Sequence, residues 1–211
     1  LLPQISAQLA KENWVLARQD IQNLQPQLEI AYTTEYTAWW QNFIRHSTPE
    51  HYQGYQQAHA LTQRLEHNHV IPNLVHFIQK ETGPSAGHNA TLFNANIASQ
   101  FTPINLLTDS AIQDLDHTIA ELERFLTTIS LVNDQGRTVF DLTKARFNNP
   151  NSVDPLSTLY ARSQQLPEPI AKWAKQIADE TWSMFVNESK TYLNQQWEKQ
   201  VYNVYAATIS H

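Results

Sequence analysis

Hydrophobic residues recur along this chain at intervals of three and four, the period that lays a single apolar stripe along an α-helix. The clearest series is Ile112, Leu115, Ile119, Leu122, Phe125 or Leu126, and Ile129. It predicts a helix that opens at a capping box of Ser110 and Gln113. Asp114 and Asp116 lie near its positive start, and Asn133-Asp134-Gln135-Gly136 forms its exit. A second series follows Leu166-Pro167-Glu168-Pro169: Ile170, Trp173, Ile177, Thr181 and Met184, then Leu193, Trp197, Val201 and Val204. Neither Gly nor Pro interrupts residues 170–211, so one long helix, or two nearly continuous ones, is expected behind a proline-rich entrance.

The first half is less regular. Ile21, Leu24, Leu28, Tyr32, Glu35, Trp39 and Phe43 fit a helical face, on which Pro26 must kink the helix or begin it. Thr48-Pro49-Glu50 has the form of an N-cap followed by proline, opening a helix to about Glu66. Ile71, Leu74, Val75 and Ile78 predict a short helix that stops at Thr82-Gly83-Pro84. Residues 83–100 are expected to be a polar loop, and Asn148–Ser152 a second break before the cap-plus-proline start Asp154-Pro155. The pattern is an all-α array of about seven to nine helices including a long C-terminal helix. Its expected organisation is 1–82, a loop at 83–100, and 101–211, or one continuous domain over 1–211.

Composition sharpens this. Only 4 of 211 residues are Gly, which favours helix over a turn-rich β fold. Charged residues are 16%, and their place is taken by 21 Gln and 16 Asn, an uncharged polar surface. The net charge of -6 removes the electrostatic basis for sequence-blind nucleic-acid binding. Without Cys there is no disulfide, thiolate zinc site or cysteine nucleophile. No stretch reaches the roughly 18 apolar residues of a membrane span, and the first residues lack a signal-peptide layout. The opening Leu1-Leu2-Pro3, with no Met, reads as an excised piece whose anchor or export signal would lie outside it.

Candidate chemistry is sparse. His67, His69, His76 and His88 would be the ligands of a metal-dependent hydrolase, the alternative function. However, His67 and His69 diverge if helical, and no two His stand four apart as a His-Glu-x-x-His site requires. No serine elbow or phosphate-cradling glycine loop occurs. The acids Asp114 and Asp116, and Glu121 and Glu123, are expected on a solvated outer face. No catalytic residue, metal ligand or cofactor is therefore assigned. The aromatics remain. Trp39 and Trp40 project about 100° apart, so both are buried only if that helix is enclosed on more than one side, and an exposed one would mark a contact surface. A third reading, a peptide- or small-molecule-binding module, would place a pocket against Trp39 or Trp40 beside residues 83–100.

The aromatic run at the end carries a resemblance. Leu166-Pro167-Glu168-Pro169, Trp173, Trp182, and Tyr192-Leu193-Asn194 with Trp197, Val201 and Tyr202 resemble the IcmF/TssM family of bacterial secretion systems. Glu12-Asn13-Trp14-Val15-Leu16 is similar to its Glu-x-Trp-Val-Leu-Gly segment, with Ala17 where the family has Gly. Tyr32, Tyr36 and Trp40 are similar to its Tyr-x-x-x-Tyr-x-x-x-Trp helix, and Phe101–Leu107 resembles its Phe-x-x-Leu region. The chain ends before the family's Arg-Tyr-Pro-Phe and β-rich portion. The resemblance implies a non-enzymatic scaffold from the helical periplasmic region of an inner-membrane protein of a type VI or type IVB (Dot/Icm) system. It implies a DotU/TssL-like inner-membrane partner, an outer-membrane lipoprotein bound through regions beyond this chain, and possible self-association. The membrane would be reached only through segments outside the chain. Trp14, Tyr36, Trp39, Trp40, Trp173, Trp182, Tyr192, Asn194 and Trp197 are the candidate structural or interaction residues.

Overall fold

The computed structural model describes residues 18–84, 92–149 and 151–209. These residues are all-α, with no strand among them. In chain order the helices are α1 (Arg18–His46), α2 (Tyr55–His67), α3 (Val70–Thr82), α4 (Leu92–Gln100), α5 (Thr102–Asn105), α6 (Asp109–Ser130), α7 (Gln135–Asn148), α8 (Pro155–Ser163) and α9 (Ile170–Trp197). A π-helical turn, Glu198–Tyr202, then leads into α10 (Asn203–Ile209). The chain forms two compact units. One takes the described residues up to 47 and those from 78 to 105, and the other takes 48–77 and 106–211.

In the first unit α1 packs on α4, and the buried side chains include Trp40, Ile44, Ile78, Ile97, Phe101 and Ile104. Pro26 lies inside α1 rather than at its start. The buried face of α1 is also turned from the expected one. Leu28, Tyr32 and Trp39 are exposed, whereas Trp40 and Ile44 are enclosed. A shift of one residue on a helix is a rotation of about 100°, enough to send half an aromatic-rich helix face outward. The expected loop at 83–100 is helical over Leu92–Gln100, because Asn94, Ile97 and Ala98 are buried there despite its polar composition.

Gly83 ends α3 at a tight point. A Cβ built there would stand 2.5 Å from the Gln79 carbonyl oxygen, a backbone atom that cannot step aside. Asn105 braces the same corner, donating to the Thr82 carbonyl at 3.1 Å. Gly83→Ala is accordingly expected to destabilise the protein by more than about 1 kcal/mol, read as a lower thermal midpoint. Relief of strain with no loss of stability would contradict this geometry.

The core of the second unit is laid down by α6 and α9. Ile112, Leu115, Ile119, Leu122, Leu126 and Ile129 of α6 are all buried, as the spacing predicts. Its cap differs: Thr108, two residues earlier than expected, accepts from the Ala111 amide, and the helix ends at Ser130. The expected exit sequence instead starts α7, with Asp134 accepting from the Arg137 amide. Asp154 caps α8 with Pro155 behind it, as the sequence predicts, and Ser157 closes a capping box there that the sequence reading did not include. Along α9 the residues Ile170, Trp173, Ala174, Ile177, Thr181, Met184 and Phe185 are buried against α7 and α8. Beyond them Leu193, Trp197, Val201 and Val204 are exposed, so the second half of that apolar series faces away from the core.

Candidate functional site

The expected helix from Thr48 to Glu66 begins only at Tyr55, and the residues before it form an extended clasp on α9. The phenol of Tyr52 is buried and donates to the Ile177 carbonyl at 2.7 Å, with the Thr181 hydroxyl 2.6 Å away. Glu180 accepts from the Tyr52 amide at 3.0 Å and from His51 Nδ1 at 2.5 Å. Gln176 donates to the Pro49 carbonyl at 2.9 Å. Thr48-Pro49 has good local credentials as a helix start, but these bonds need an extended backbone at 49–52. Sequence reasoning passed over Tyr52, Gln176 and Glu180 because their partners lie more than a hundred residues away.

Burial pushes the Tyr52 phenol well above its ordinary value, and the nearby Glu180 charge adds to the shift. Tyr160, which donates to Asp179 at 2.6 Å, is raised as well, by desolvation first and by that carboxylate second. A raised folded-state value means full stabilisation below about pH 10, where the unfolded tyrosine also keeps its proton. Above that pH only the unfolded chain ionises, so stability falls as pH rises. The thermal midpoint is expected to fall progressively as pH rises beyond about 10, and Tyr52→Phe should flatten that slope.

The candidate metal ligands do not converge. His69 Nδ1 lies 2.7 Å from Asp116, His76 Nε2 lies 3.3 Å from Asp109, and His67 Nδ1 lies 3.7 Å from Glu66. Each pairs with a different carboxylate, and no group of three metal-ligating side chains occurs among the described residues. His88 lies outside the described residues. The acids expected on a solvated face are in part engaged: Asp116 holds His69, Asp114 holds Arg162 at 3.3 Å, and Glu123 accepts from Thr127 at 2.8 Å. An open groove of about 770 Å³ in the first unit is lined by Pro26, Ile30 and Ala38 together with polar side chains, Thr33, Thr37, Asn96 and Ser99 among them, and not by Trp39 or Trp40.

The aromatic candidates separate into three groups. Trp40 (3% exposed) and Trp173 (2%) are core side chains. Tyr36, Trp182 and Tyr192 are half-buried. Tyr36 donates to the Glu81 carbonyl at 3.0 Å. The Trp182 ring carries the Arg146 guanidinium at 5.2 Å from its centroid, and Arg146 in turn makes two bonds to Asp154, of 2.7 and 2.6 Å. Tyr192 packs on Phe140. Trp39 and Trp197, each 58% exposed, and Asn194 face solvent. Trp39 stacks flat on Phe43 at 5.5 Å, and Trp197 stacks on Tyr202 at 6.0 Å. Trp14 lies outside the described residues. No helix among the described residues is long and apolar enough to cross a membrane.

An all-α protein with core aromatics and exposed aromatic faces is the class that the fold defines. Residues 2–82 match the model of a family described as IcmF-related, intracellular multiplication and human macrophage-killing, and that match supports the IcmF/TssM resemblance. The matched part contains the Glu12–Leu16 segment and the Tyr32–Trp40 helix, and the run from Leu166 to Tyr202 lies beyond it. The match points to a secretion-system-associated protein. No curated protein and no solved structure matches the chain.

Proposed function

We propose that this chain is a non-enzymatic scaffold module of a bacterial secretion-system envelope complex, part of an IcmF/TssM-like protein and lying on the periplasmic side of the inner membrane. The observation that carries the reading is the IcmF-related match over residues 2–82. The chemistry of the surface supports it. Trp39 and Trp197 offer large, rigid contact area with little side-chain freedom to lose, the property that makes Trp a frequent anchor in protein interfaces. On this reading the helices hold those rings in place while a DotU/TssL-like inner-membrane protein and other subunits assemble around the full-length protein.

The test is isolation of the full-length protein from native membranes, with its companions identified by mass spectrometry. A DotU/TssL-like protein is expected to accompany it, and protease added outside spheroplasts should cleave within residues 1–211. Recovery free of secretion subunits, or protection of this region from external protease, would sink the proposal.

A further inference from the structure

We draw no further inference here: the strongest candidate, the open groove between α1 and α4 that the buried, unpartnered Thr37 hydroxyl helps to line, carries none because nothing in the structure shows what covers it.

Discussion

Trp173→Ala should be the most damaging single change among the aromatic candidates, costing about 3–5 kcal/mol. The indole is almost fully enclosed on α9, between Ile170 and Ile177 on one helix face, and its removal leaves a void that close-packed neighbours fill only in part. For a unit of this size the thermal midpoint falls by roughly ten degrees or more. Urea denaturation followed by circular dichroism measures the loss. Trp39→Ala and Trp197→Ala are the informative comparisons, because three tryptophans of equal prominence in the sequence occupy unlike surroundings. Both exposed rings should change stability by less than about 1 kcal/mol. Equal losses at all three positions would mean that the division between core and contact aromatics is wrong.

Tyr52→Ala is expected to cost about 3–4 kcal/mol, for the buried ring and for the bond it donates to α9. Tyr52→Phe keeps the ring and removes only the hydroxyl, so about 1–2 kcal/mol should be lost. The control is Thr48→Ala. If Thr48 capped a helix, its loss would cost about 1 kcal/mol. The observed helix starts at Tyr55 and Thr48 is exposed, so that substitution should be close to neutral. A costly Thr48→Ala alongside a harmless Tyr52→Phe would restore the local reading and remove the clasp.

The contrast between Thr48 and Tyr52 shows where sequence reading stops. The stripe of α6 was legible because six aliphatic residues at helical spacing can be buried only one way. Asp154-Pro155 was legible because a cap acts on amides two or three residues away. The Glu180–Tyr52 bond joins residues 128 apart and has no local signature. The orientation of α1 was misjudged for a related reason. Trp39 and Trp40 are equally apolar, and only packing in the folded unit decides which of them is enclosed.

The candidate site was legible as a set of aromatic residues and not as a surface. Tyr36, Trp39, Trp40, Trp173, Trp182, Tyr192 and Trp197 stand out in composition alone, yet they divide into core, seam and solvent only after folding. The apolar period from Ile170 to Val204 looks uniform along the chain, although α7 and α8 cover only its first part. The alignment of Trp197 with Tyr202 depends on a π turn that no spacing rule anticipates.

By itself, then, the amino-acid sequence determined that this protein is helical, where its longest helices run and that aromatics dominate its chemistry, because periodicity, capping and glycine scarcity act over a few residues. The tertiary structure alone decided which face of each helix is buried, how residues 49–52 are held and which tryptophans meet solvent. Those outcomes depend on partners distant in the chain, and burial is a property of the neighbours as much as of the residue.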